Sequence, residues 1–116
     1  MSENIRSDFI RGHIDTIILR VLMDKDNYGY EIIKAIGINS NGQYELKEPS
    51  LYTSLKRLEN QKLIESYWGD ESQGGRRKYY KITQHGKEFY EKSLAEWKIA
   101  KKLIDQLIER SAGEDE

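Results

Sequence analysis

The chain has 116 residues, 37% of them apolar, enough for one small domain with a modest core and at most one appended element. It holds no cysteine, which excludes disulfides, thiolate catalysis and cysteine metal sites; no apolar run approaches a membrane span and no basic-then-apolar leader is present, so a cytoplasmic chain is expected. A net charge of −1 excludes a protein that coats nucleic acid indiscriminately, yet residues 47–87 carry nine Lys/Arg against five Asp/Glu, while the segments before and after are mildly acidic.

From the N-terminus, Phe9, Ile14, Ile17, Ile18, Val21 and Leu22 recur at three- and four-residue steps and predict a helix from about Ser7 to Met23, with Ser7 as its cap. Asp24-Lys25-Asp26-Asn27 breaks it. A second helix, Tyr28 to about Ile36, buries Ile32, Ile33 and Ile36, and Gly37 with Asn39-Ser40-Asn41-Gly42 marks a loop. In a third, from Pro49 to Leu58, Leu51, Leu55 and Leu58 line one stripe, and Pro49 suits the first turn. Turning about 100° per residue puts Thr53, Lys56, Arg57 and Asn60 opposite that stripe, with Ser50 and Tyr52 on its flanks. Two short helices, the second with a polar outer face, predict a helix-turn-helix whose connecting loop is longer than usual.

Leu63 to Trp68 and Lys78 to Ile82 are rich in β-branched and aromatic residues, and the loop between them, Gly69 to Gly75, joins them as a hairpin. Thr83 caps a last helix running to about Ser111, where Gly113 and the acidic Glu114-Asp115-Glu116 stop it. Some 28 residues at about 1.5 Å each span roughly 40 Å, longer than so small a body can cover. Tyr90, Leu94, Trp97, Lys101, Ile104 and Ile108 form a heptad-like seam widened by Ala100, Leu103 and Leu107. Such a seam predicts a two-fold homodimer that sets two recognition helices about one DNA turn apart. The expected fold is mainly α with a small β-hairpin. A winged helix-turn-helix DNA-binding domain covers residues 1–82, a C-terminal dimerisation helix 83–112 and an acidic tail 113–116.

Function is expected at the basic middle of the chain. Gly74 and Gly75 let the backbone approach a phosphate, and Arg76, Arg77 and Lys78 supply the charge; the plain alternative is a solvated hairpin tip. Asp70 and Glu71 would have to point away from DNA. Thr53, Lys56 and Arg57 are candidates for base edges, Tyr52, Tyr28 and Tyr30 for phosphates, and Ser50 for DNA contact on the flank of the same helix, although tyrosines at the edge of a core are commonly only half-buried packing. Trp97 on the seam is ordinarily packing, but two copies across a dimer axis would also form a slot for a planar aromatic molecule. His13 and His85 have no metal-ligand spacing, and no nucleophile elbow or paired-acid motif stands out, so no cofactor, metal or enzymatic activity is expected.

Leu51-Tyr52-Thr53, Lys56-Arg57-Leu58-Glu59 and the run from Ser66 to Tyr80 resemble the PadR-type transcriptional regulators, in particular a short subfamily that includes a multidrug-responsive repressor. The resemblance covers nearly the whole chain. It implies a winged helix-turn-helix dimer on a palindromic operator that represses transcription, often of an efflux pump, until an aromatic or drug-like ligand intervenes. It also implies a ligand pore at Phe9, Gly12, Asp15, Thr16, Leu94, Trp97, Ala100 and Lys101. Lys101 stands where the drug-binding relative has an acid and Asp15 where it has an amide, so the resemblance leaves the preference for cations open: a lysine near the slot disfavours a cation, while Asp15 nearby restores the balance. A winged-helix module that binds another protein, without ligand sensing, is the alternative.

Overall fold

The computed structural model describes residues 7–69 and 76–109. The elements in chain order are α1 (Ile14–Asp24), β1 (Asn27–Tyr28), α2 (Gly29–Asn39), α3 (Glu48–Asn60), β2 (Ile64–Trp68), β3 (Lys78–Ile82) and α4 (Gln84–Ile108).

The segment before α1 corrects the expectation of one helix from Ser7. It forms two single 3-10 turns, Ser7–Phe9 and Arg11–His13, so Ser7 does not cap α1, which starts at Ile14 with no side-chain cap. Gly12 favours the break, because glycine weakens a helix interior by about 1 kcal/mol. From Ile14 onward the apolar periodicity holds, and Ile18, Leu19, Val21 and Leu22 are buried.

Tyr28 is not the first residue of the second helix; it pairs with Tyr79 in a short strand. Gly37 does not end α2 either. The helix continues to Asn39, where a better terminator lies: Asn41 adopts φ 56° and Gly42 φ 76°, and their amides donate to the Ile38 and Gly37 carbonyls at 3.0 and 2.8 Å. This double bond from the residues beyond the cap satisfies carbonyls the helix leaves open. α3 ends the same way, with Lys62 at φ 64° and the amides of Lys62 and Leu63 donating to the Glu59 and Leu58 carbonyls, both at 3.0 Å.

The expected hairpin is part of a three-stranded antiparallel sheet, order β1-β3-β2, with Ser66 opposite Tyr80 and Tyr80 opposite Asn27. Beneath it lies one core. Ile32 and Ile36 of α2, Leu51, Leu55 and Leu58 of α3, and Leu46, Leu63, Ile64, Tyr80 and Ile82 close on the α1 face. The wholly buried stripe of α3 turns the rest of that helix outward. Thr83 caps α4 as expected, its hydroxyl accepting from the Gly86 amide at 2.9 Å and donating to the Lys62 carbonyl at 2.8 Å. Gly86 sits where a Cβ would strike the Leu63 carbonyl and Ile82, so glycine lets α4 leave the sheet this closely. From Ile99 onward the apolar residues of α4 are exposed, apart from the half-buried Ala100.

Candidate nucleic-acid interface

The β2–β3 hairpin is the wing, and its cations lie on aromatic rings. The Arg76 guanidinium sits 5.3 Å from the Trp68 ring centroid, Arg77 4.8 Å from that of Tyr28, and the Lys78 ammonium 5.8 Å from that of Tyr80. The rings are themselves ordered: Tyr67 stacks on Tyr79 at 5.7 Å, and Tyr79 meets Tyr28 edge-on at 5.4 Å. The base of this stack is tied down, because the Tyr67 hydroxyl donates to Asp26 Oδ2 at 2.6 Å. That bond, with the carboxylate charge beside it, pushes the phenol pKa up to about 12. Stacking thus removes rotamer freedom from two arginines before any ligand arrives. Gly74 and Gly75 lie outside the described residues.

A hollow of about 380 Å³ opens between the wing and the helices, lined by Tyr28, Gly29, Tyr30, Tyr52, Arg77, Lys78 and Tyr80. It gathers five of the residues expected to touch phosphate from three separate parts of the chain. Tyr52 is half-exposed and stands against the start of α2, where a Cβ on Gly29 would meet its ring. Ser50 and Lys56 are exposed on α3. Thr53 is exposed too, but its hydroxyl donates to the Pro49 carbonyl at 2.9 Å, so only its acceptor lone pairs face outward.

Arg57 is exposed on the outer face of α3, but its guanidinium is turned onto α1. Its Nε and Nη2 donate to Asp15 Oδ2 and Oδ1, both at 2.8 Å, and Nη2 also donates to Ser54 Oγ at 3.1 Å. The bidentate bond and the carboxylate charge raise the arginine pKa further, keeping it charged.

Seven of the eight expected pore residues surround the junction of α1 and α4. Phe9, Thr16, Leu94 and Trp97 help line a mainly apolar hollow of about 390 Å³, and Gly12, Asp15, Thr16, Trp97 and Ala100 help line its neighbour of about 330 Å³. Lys101 lines neither, but its ammonium lies 6.0 Å from the Trp97 ring centroid. His13 also meets the Trp97 ring, edge-on at 4.8 Å between centroids. The sequence offered His13 only as a metal ligand, since ring contact across two helices leaves no spacing to read. Among the described residues no group of His, Asp and Glu is placed to hold a metal, and no helix is long and apolar enough to cross a membrane.

Residues 18–92 match the model of the transcriptional regulator PadR-like family. An uncharacterised protein of Lysinibacillus sphaericus is 48% identical over 105 residues, which cover 90% of this chain and 96% of that one. The transcriptional regulator YqjI of Escherichia coli K12 is 30% identical over 96 residues, 83% of this chain, and this chain spans only 44% of its length. Among solved structures, a transcriptional regulator from Clostridium thermocellum superposes with a TM-score of 0.82 at 45% identity, covering 88% of this chain and 99% of that one. A PadR family transcription regulator from Clostridium difficile gives 0.72 at 44% identity, with 84% and 99% covered.

Proposed function

The chain belongs to the PadR-like family of transcriptional regulators, and on that footing we propose that it is a cytoplasmic, dimeric, ligand-responsive repressor of an efflux pump or detoxification gene. DNA-binding regulation, not catalysis, follows from the family alone. The further reading treats residues 1–82 as the DNA-binding part and 83–112 as the dimerisation helix, on a palindromic operator. The observation that carries it is the hollow where Arg77 and Lys78 of the wing face Tyr28 and Tyr52 of the helices. Two cations and two phenols around one depression fit a backbone phosphate, with α3 beside them to enter the major groove. The exposed apolar residues of α4 support a second copy, and the hollows at Trp97 support a planar aromatic or drug-like effector, as in the multidrug-responsive repressor of lactococci.

The test is fluorescence anisotropy with labelled duplexes tiled upstream of the chain's own gene and any neighbouring transporter. Tight binding that weakens steeply with salt is expected, and the double change Arg76→Ala and Arg77→Ala should weaken it and lower the log K against log salt slope by about 1.8. Unaltered binding by that double variant would overturn the wing assignment. Salt-insensitive capture of a protein partner, with no duplex bound, would favour the interaction-module reading instead.

A further inference from the structure

Arg57 occupies the face of α3 that a groove would meet, yet it is already engaged. Asp15 takes Nε–H and one Nη2 hydrogen, and Ser54 takes the other, which leaves only the two hydrogens on Nη1. Arginine reads guanine bidentately, through hydrogens on two different nitrogens, and no such pair remains while Asp15 holds the fork. The contact is not a local helix pair: 42 residues separate its partners, and it joins the first turn of α1 to α3. That first turn suits a carboxylate, because the open amides of a helix start favour negative charge.

The pair is not needed to place the helix. Leu51, Leu55 and Leu58 are wholly buried and fix α3, whereas the side chains of Arg57 and Asp15 stay 48% and 25% exposed. A pair so open to water holds elements together weakly, so its chief consequence is that it occupies Arg57.

We infer that Asp15 is a specificity-determining residue that withholds Arg57 from DNA, leaving recognition to Tyr52, Lys56 and the wing. This rests on reading α3 as the DNA-facing helix. In the protein bound to its operator Arg57 remains on Asp15, and removing the carboxylate adds a guanidinium to the DNA contacts.

The experiment is a double-mutant cycle by anisotropy on the tightest duplex from the chain's own upstream region, across a series of salt concentrations. Arg57→Gln alone should change affinity by less than about twofold, because Arg57 makes no DNA contact to lose. Asp15→Asn should bind on the order of tenfold more tightly; a freed guanidinium that takes a phosphate should also steepen the salt slope by about 0.9, and one that takes a guanine edge should leave the slope unchanged. Asp15→Asn combined with Arg57→Gln should lose that gain. An equal gain in both backgrounds would mean that Asp15 acts only as a repelling charge, and a loss of affinity in Asp15→Asn would mean that the pair supports binding; either overturns the inference. Asp15→Ser, whose side chain also suits a helix start, repeats the measurement if the Asn variant melts early. Wild-type protein that binds no duplex would instead sink the DNA-facing reading itself.

Discussion

Tyr67 shows how one residue sets the wing. Its phenol donates a hydrogen bond to Asp26 and its ring stacks on Tyr79, so the hydrogen bond and the stack are held at one point. Because the folded pKa is raised to about 12, the neutral phenol is favoured in the native state. Its contribution to stability is therefore complete below the ordinary tyrosine value near 10 and is lost as pH climbs from there through about 12. Burial also raises Tyr44 and Tyr80, so the test is a difference: a tyrosinate absorbance titration of the parent protein should show a step near 12 that Tyr67→Phe lacks and that Asp26→Asn moves toward 10, and a difference titration with no such step would show that the bond is not formed in solution. Trp97 offers a second single-residue test. Planar aromatic compounds that enter the hollows should quench its fluorescence, and Trp97→Phe should lose the response while Trp68→Phe keeps it. Quenching that follows Trp68 would move the ligand to the wing, where that indole lies exposed under Arg76.

Helix ends and close crossings govern the elements, and they divide what the sequence reveals from what it hides. Lys62 holds the left-handed position that closes α3, a conformation that costs a side-chain-bearing residue about 1 kcal/mol. Lys62→Gly should therefore stabilise the fold by roughly 0.5–1 kcal/mol, read as a higher denaturant midpoint with an unchanged slope. Gly86→Ala should do the reverse and lower the midpoint, since backbone rather than a movable side chain fills the space. The stripe Leu51, Leu55, Leu58 is legible because burial there repeats with the period of the helix, and the run Lys78 to Ile82 because its aromatic and β-branched residues suit a half-buried strand. β1 is not, because a two-residue strand exists only through its pairing with Tyr79 and Tyr80, some fifty residues away. Gly37 misled for a related reason: glycine alone marks no helix end when a left-handed asparagine four residues later provides a better one. The site divides likewise. Periodicity placed Ser50, Tyr52 and Lys56 on the outside of α3, but nothing in the spacing of the chain links Arg57 to a carboxylate 42 positions earlier.

At the scale of the whole molecule, shape and exposed surface point the same way. The radius of gyration is 17.2 Å, against about 13 Å for a compact chain of this length. The excess comes from α4, whose distal half leaves Ile99, Leu107 and Ile108 at 70, 65 and 75% exposure with Leu103 and Ile104 half-exposed among them. An apolar band along a helix that no described element of its own chain covers is unfavourable in water, and pairing with a like band removes it from solvent at about 25 cal/mol per Å². The proposed dimer accordingly predicts sedimentation at twice the mass of one chain. Placing charge in the band, as in Ile104→Glu with Leu107→Glu, should produce monomers, since carboxylates buried between helices without partners cost more than the contact returns. Those monomers should retain the melting behaviour of the core, because Ile104 and Leu107 touch none of it. Operator binding should nonetheless fall by a factor of 10² or more, because two half-sites are no longer engaged by one molecule and the effective concentration of the second reading head is gone. A double variant that stays dimeric would place the interface elsewhere, and one that is monomeric yet binds the palindrome undiminished would separate assembly from recognition.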